Sequence, residues 1–386
     1  MKLPAVLDRS PFRAGSFPSR LHDERVAAVL GAALGLTFTV CFATGLYSHL
    51  AQHPTSWFQL PSRPASLYRV TQGLHVATGI ASIPLLFAKL WTVYPKLFSW
   101  PPFESAAHLV ARISLLPLVG GGLFMLFTGL ANINLWYPWE FNFPVTHYWA
   151  AWITIGALVV HIGAKFATTR RALFRREAAP PGVEVAEDTT DRRRFLGVVF
   201  GTAGLLTLFS VGQTFEPLRK LALLAPRRPD VGPQGFPVNR TARTAGVIES
   251  SQSADFRLTV TGRVKEDLTF DIDQLRALPQ HSAVLPIACV EGWSTTQRWT
   301  GVRVRDLLAM AGASPDAEAR VESLQQRRSY RTSDLNPWQA HDRDTLLALF
   351  VNDEPLALDH GYPLRLIGPN RPGVMQTKWV TRVVVR

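Results

Sequence analysis

The chain has 386 residues, 47% of them hydrophobic and 18% charged, with a formal net charge of +12. Two cysteines exclude a disulfide scaffold and a Cys-rich iron–sulfur or zinc site, and the apolar content excludes disorder over most of the chain. At about 100–200 residues per domain, the length allows two or three domains. The composition averages over unlike halves. Residues 26–168 hold eight Lys, Arg, Asp and Glu side chains in all, whereas 213–386 hold 23 basic and 19 acidic ones. The first half reads as membrane and the second as a soluble globular domain.

A bilayer span takes about 20 apolar residues, and five segments qualify: 26–48, 70–92, 107–131, 147–168 and 196–213. Short loops join the first four, which predicts an antiparallel four-helix bundle. Gly31, Gly35 and the run Gly120–Gly122 suit close helix contacts. Basic residues beside the spans set orientation. Lys2, Arg9, Arg13, Arg20 and Arg25 precede the first span, and Lys165, Arg170, Arg171, Arg175 and Arg176 end the fourth. Both ends are expected to face the cytoplasm, which places 132–146 and everything after 213 outside. Asp191-Arg192-Arg193-Arg194-Phe195-Leu196-Gly197 before the fifth span resembles a twin-arginine export signal set inside the chain, and the arginines also serve as a cytoplasmic anchor.

Seven of the ten histidines precede residue 162. Ionisable residues inside spans are costly and usually functional. His75 lies in the second span, His147 at the outer start of the fourth, and His161 deep within it. The last two are 14 residues apart, hence on one face within about 40° and about 21 Å apart along the axis. That spacing suits two stacked haems, each taking one neutral imidazole from this helix. The Gly-Leu-His-Val-Ala-Thr-Gly run around His75 and the fourth-span pair resemble the b-type cytochrome subunit of bacterial formate dehydrogenases and hydrogenases, over about 25–168. The resemblance implies His75 and His147 as ligands of an outer haem and His161 as one ligand of an inner haem. Its first-span inner ligand is missing here, since the matching region lies around Gly31. His22 and His108 are the two histidines available in its place, and one haem is better supported than two. His49 and His53 read as interfacial polar residues. Arg112 either snorkels or meets a haem propionate, and Cys41 reads as a small buried residue.

Residues 177–191 read as a flexible linker, and 225–240 as an irregular approach to the last domain. An α/β pattern follows. Strands are predicted at Phe256–Gly262 and Ala283–Val290, a strand entering a short helix over Phe270–Pro279, a helix at the end of Trp299–Leu308, and a last strand over Lys378–Arg386. About 150 residues suffice for one core.

Ile287-Ala288-Cys289-Val290-Glu291-Gly292-Trp293-Ser294 sets the domain's only cysteine at a strand end beside a glycine turn. Followed by Trp299-Thr300-Gly301-Val302, it resembles the sulfite-oxidase-type molybdopterin domains, especially their monomeric periplasmic sulfoxide-reductase branch, over about 240–386. The resemblance implies that Cys289 gives a soft thiolate ligand to molybdenum. His360, Arg365 and Lys378 would bind the pterin cofactor, whose phosphate needs cationic donors. Arg371 and the amide of Gly373 are weaker additions, and Arg298 and Asp334 are guesses at substrate contacts.

The expected fold is a membrane all-α four-helix haem bundle plus a fifth anchor helix, followed by an α+β sulfite-oxidase-like molybdopterin domain. Its segments are 1–25 cytoplasmic, 26–168 cytochrome domain, 169–194 linker, 195–213 anchor, 214–239 outer linker and 240–386 molybdopterin domain. The expected protein sits in a bacterial plasma membrane and exchanges electrons between quinone or quinol, haem b and a molybdenum–molybdopterin centre. It would reduce a small or protein-bound S-oxide or N-oxide. The alternatives are sulfite-type oxidation feeding quinone, a haem-only cytochrome, and a non-catalytic anchor that has lost the metal. The basic residues are scattered or anchoring, so they give no reason to expect nucleic acid as a partner.

Overall fold

The structure is a computed structural model and describes residues 17, 19, 21–55, 57–98, 105–174, 185–211, 214, 216–326 and 330–386. The basic residues Lys2, Arg9, Arg13, Arg20, Arg175 and Arg176 lie outside the described residues. The chain divides into two compact units, one of residues 1–43 and 74–210, the other of 44–73 and 211–386. The stretch 44–73 groups with the C-terminal region, although the sequence places it inside the cytochrome domain.

Helices build the first unit: α1 (Glu24–Gln52), α2 (Leu67–Val93), α3 (Ala106–Ile113), α4 (Leu115–Ile133), α5 (Phe143–Phe174) and α6 (Val185–Val211), with the ends of α1 and α2 running into the other unit. Among the described residues, five helical segments are long and apolar enough to cross a membrane. In lipid a helix satisfies its own backbone, so sequences apolar all round settle as helices there. The expected third span is split into α3 and α4. Pro117 has no N–H for the Ile113 carbonyl and its ring crowds that carbonyl, so α3 ends there. The expected linker is shorter than the sequence implies, because α5 continues to Phe174 and α6 begins at Val185. Val26, Leu30 and Leu34 of α1 pack with Leu85 and Leu86 of α2 and with Val199 and Ala203 of α6. Gly121 of α4 lies so close to Thr154 of α5 that a Cβ would collide with its hydroxyl, the close approach that small residues permit.

The second unit holds two five-stranded sheets. Its strands are β1 (Leu258–Gly262), β2 (Leu268–Phe270), β3 (His281–Ala288), β4 (Ser294–Arg303), β5 (Ala319–Ser323), β6 (Thr332–Leu335), β7 (Leu346–Val351), β8 (Glu354–Pro355), β9 (Arg365–Ile367) and β10 (Val380–Val385). One sheet runs β2-β1-β10-β5-β6, with β1 and β10 parallel. The other runs β3-β4-β7-β8, with β9 also paired to β7. Strand residues alternate between faces. Leu347, Leu349 and Leu366 therefore join the core shared with Val260, Val321 and Val383. Leu346, Ala348 and Ile367 join a second core with Leu285, Ile287 and Trp299.

In this unit the predicted strands and helices overlap observed elements, with ends shifted by a few residues. Helix α7 (Ile272–Ala277) follows β2 and opens on a capping box between Asp271 and Gln274. Helix α8 (Val304–Met310) follows β4. The expected outer linker, 214–239, carries two short 3-10 turns, Glu216–Leu221 and Pro233–Gly235.

Candidate functional site

The second unit gathers five of the six predicted cofactor residues into one pocket. Cys289, His360, Arg365, Gly373 and Lys378 line it, with Phe236, Asn239 and Trp293 beside them. Cys289 comes directly after β3, in a tight turn. Its amide donates to the Trp293 carbonyl at 2.9 Å and the Gly292 amide donates to its carbonyl at 3.1 Å. Gly292 has φ +85°, a conformation glycine adopts without strain. The thiol is 2% exposed. Burial, and then the Glu291 carboxylate, hold it well above the ordinary thiol range. The thiolate needs a cation to exist there, which a metal supplies. Glu291 is fixed by Arg227 Nε at 3.2 Å and by the Trp293 indole N–H at 3.2 Å.

Two cations line the pocket with no anion of their own. Arg365 is 5% exposed, lies over the Trp299 ring, and donates from Nη1 to the His360 carbonyl at 3.0 Å. Its Nε is buried with no hydrogen-bond partner among the described residues. Lys378 Nζ donates to the Arg240 carbonyl at 2.5 Å and the Asp359 carbonyl at 2.8 Å. Among the described residues neither has a carboxylate at ion-pair distance. Burial lowers Arg365 to about 9, and burial with the neighbouring Arg365 lowers Lys378 well below the ordinary lysine range. Uncompensated buried charge is expensive, and a bound anion removes that cost. The same donor set suits a phosphate.

His360 stacks on Phe236, with centroids 3.7 Å apart, and its Nε2–H donates to the Pro233 carbonyl at 2.8 Å. Burial, then the Arg365 charge, push it down to about 3, so the ring is neutral. A Cβ on Gly373 would stand 2.9 Å from the Ala288 carbonyl, so only glycine leaves room beside the cysteine strand. The residues thus fit a metal held through sulfur together with an anionic organic cofactor.

Arg371 does not reach this pocket. Its guanidinium donates to the Asp334 and Met375 carbonyls at 3.1 and 2.9 Å and to Gln339, which makes it a buried brace of the loop. Arg298 pairs with Asp353, and Asp334 pairs with Arg320 at 2.8 Å, both away from the pocket lining. Sequence reasoning missed Phe236 and Asn239. They sit in the Pro-rich approach, whose one visible signal is a lone aromatic between Gly235 and Pro237.

The helical unit holds a separate arrangement. His75 and His147 face each other with ring centroids 6.3 Å apart. His75 Nδ1–H donates to the Cys41 carbonyl at 2.8 Å, with Cys41 Sγ 3.5 Å from the same nitrogen. His147 Nδ1 meets the Thr128 hydroxyl at 2.8 Å, and that hydroxyl itself donates to the Phe124 carbonyl at 2.8 Å. A metal-bound histidine usually gives its other ring N–H to such a partner. Metal–imidazole bonds of about 2 Å put two rings flanking one ion at centroid separations of about 6 Å. The ring separation is of the size that two imidazoles sharing one metal ion would have. Cys41 thus meets His75 through its carbonyl as well as its thiol.

His161 stands apart from this pair, with its Nδ1 buried and without a partner among the described residues. His22 is occupied by Trp91, Tyr94 and the Thr92 carbonyl. His108 lies in the first turn of α3. Arg112 donates to the Lys96 and Leu97 carbonyls at 2.7 and 3.1 Å. His49 and His53 stack at 4.4 Å, and Arg192 of the arginine run pairs with Asp23 at 3.5 Å.

Residues 245–386 match the family model described as oxidoreductase molybdopterin binding domain. Mitochondrial sulfite oxidase of Drosophila melanogaster is 32% identical over 163 residues, which cover 34% of this chain and 27% of that enzyme. A putative protein-methionine-sulfoxide reductase subunit YedZ1 of Azospira oryzae is 32% identical over 174 residues, 45% of this chain and 64% of that protein. NADH nitrate reductase 1 of Oryza sativa is 27% identical over 173 residues, 37% of this chain and 19% of the relative. The chain spans less than two thirds of each of these relatives. Residues 245–386 are therefore a molybdopterin-binding oxidoreductase domain related to sulfite oxidase and nitrate reductase.

Proposed function

We propose that the chain is a membrane-anchored oxidoreductase of a bacterial plasma membrane, with its molybdopterin domain extracytoplasmic and its N-terminus cytoplasmic. In this reading it draws electrons from quinol through a b-type haem to reduce an S-oxide or N-oxide, small or protein-bound. The observation that carries it is the pocket in which one buried thiol meets two buried cations that lack carboxylate partners. When bound, the molybdenum centre supplies two-electron oxygen-atom transfer and the haem one-electron transfer. The chain's own residues prepare both places. Cys289 offers sulfur, a soft ligand. Arg365 and Lys378 offer N–H donors to the cofactor's phosphate. His360, held neutral, adds bulk and a hydrogen-bonding edge without adding charge. Trp293 and Phe236 exclude water from the thiol, which strengthens every electrostatic contact inside. In the helices, Cys41 and Thr128 fix the tautomers of His75 and His147, and His161 is kept as the candidate ligand of a second, inner haem.

The kinship named in the Azospira protein, a methionine-sulfoxide reductase subunit, supports reduction. The likeness to sulfite oxidase supports the second reading, in which sulfite-type oxidation feeds quinone. The deciding experiment is molybdenum, iron and haem quantitation on purified protein, paired with assays on methionine sulfoxide and on sulfite. One molybdenum and at least one haem per chain are expected, with turnover of the sulfoxide lost in Cys289→Ser. Protein without molybdenum, or a Cys289→Ser variant of full activity, leaves the anchor or haem-only reading in place. Turnover of sulfite alone reverses the direction.

A further inference from the structure

We infer that residues 44–73 belong to the scaffold of the molybdopterin site, and that Asn370 is the positioning residue tying them to it. The inference rests on the reading of the pocket given above. Asn370 is 1% exposed and takes φ +50°, a left-handed conformation that asparagine tolerates better than most residues. Such a residue commonly bonds its own turn. This one spends its side chain more than 300 positions away. Its Oδ1 accepts from the Tyr68 amide at 2.8 Å and from the Tyr47 hydroxyl at 3.3 Å. Its Nδ2 donates to the Pro61 carbonyl at 2.6 Å, and its main-chain N–H to the Ala65 carbonyl at 3.1 Å.

The Tyr68 contact has a particular meaning. Tyr68 is the second residue of α2, and the first amides of a helix have no partner within it. A side-chain oxygen on the second or third amide is what an N-cap residue normally provides. Asn370 supplies that oxygen from the molybdopterin domain.

The loop itself is gripped from both sides. On one side Asn370 holds residues 61–68. On the other, the adjacent Arg371 braces against Met375, Gln339 and the Asp334 carbonyl. Between these anchors, Pro372 bridges to Ala288, the residue before Cys289, and Gly373 enters the pocket. Ala288 also packs with Ala51, Leu60 and Tyr68, so 44–73 backs the cysteine strand directly. A separate tie, Arg63 to Asp342 at 2.9 Å and to Asp344, holds the same segment away from the loop. The consequence is a positional one: the height of Gly373 against Cys289 is set by a residue that takes its reference from the connection between α1 and α2.

The test uses the full chain in detergent. Asn370→Gly removes the side chain but keeps the left-handed backbone, so loss of the contacts is separated from backbone strain. Amide exchange over 368–375 should speed up about tenfold, and molybdenum should be lost on dialysis about tenfold faster. Arg63→Ala loosens the same segment elsewhere and should leave both readouts within about twofold. Asn370→Asp keeps the oxygen on the Tyr68 amide and loses the donor to Pro61, so an intermediate exchange rate is expected. Exchange and retention in Asn370→Gly within about twofold of the parent overturn the inference, as does an equal effect of Arg63→Ala. A parent protein that holds no molybdenum overturns the proposed function instead, and the exchange readout still decides the role of Asn370.

Discussion

In the helical unit, His75 and His147 each commit one ring nitrogen, to the Cys41 carbonyl and the Thr128 hydroxyl, and keep a lone pair on the other. In the sheet unit, Arg365 and Lys378 keep protons that no carboxylate among the described residues receives, around a thiol that burial keeps protonated. One place has spare lone pairs and the other spare protons. The first asks for a Lewis acid, and the second for an anion with a soft metal. The difference teaches that a cofactor's chemistry can be read from what a fold leaves unsatisfied.

Removing a lone pair should have the largest effect. His75→Ala and His147→Ala are each expected to abolish the b-type visible band, with haem per chain falling at least about tenfold. The comparison is broken if either variant keeps a full band. His161→Ala sharpens it, since a full band there leaves one haem, carried by His75 and His147 alone.

Removing a spare proton comes next. Lys378→Met and Arg365→Met should each weaken retention of the molybdenum cofactor by about 10- to 150-fold, the value of a charged hydrogen bond of about 1.5–3 kcal/mol. Haem content should not change. Loss of both cofactors in one of these variants would show general misfolding rather than a missing phosphate donor. A smaller effect is expected from Thr128→Val, which removes only the partner of His147 Nδ1. Outer-shell partners of metal-bound histidines are worth 10–100-fold, and Val keeps the volume, so about tenfold weaker haem retention by spectral titration is the expected outcome.

The sequence made much of this visible, and unevenly. The strand before Cys289 was legible because alternation and glycine turns are local signals, and β1, β3 and β10 overlap the stretches those signals mark. Strands β5 to β9 left no comparable mark. Leu346–Val351 is covered on both faces and so lacks alternation, and β8 has two residues. In the pocket, five residues converge as expected, because each sat in a motif. Arg371 sat in the same motif and turned inward, since sequence spacing does not show which way a loop arginine points. Phe236, Asn239 and Asn370 were invisible as site residues. Their partners lie far along the chain, and no periodicity links Asn370 to Tyr68.

The smallest predicted effect tests whether the sheet-unit pocket keeps charge only where an anion will use it. His360 is 1% exposed and is pushed down to about 3 by burial and the Arg365 charge, against about 6.5 in an unfolded chain. Between those values the unfolded chain binds a proton that the folded chain does not. Stability must then rise with pH across this window and fall as pH is lowered from about 6.5, by up to about 1.4 kcal/mol per unit. Denaturant unfolding of cofactor-free protein at pH 6.5 and 5.0, set beside His360→Gln, isolates this contribution: the parent should lose more stability than the variant. Parallel losses would mean that the imidazole is already charged in the fold, so that the pocket carries three cations rather than two. Loading the cofactor supplies a second check, because an anion beside His360 raises its folded pKa and should flatten the parent's slope toward that of the variant.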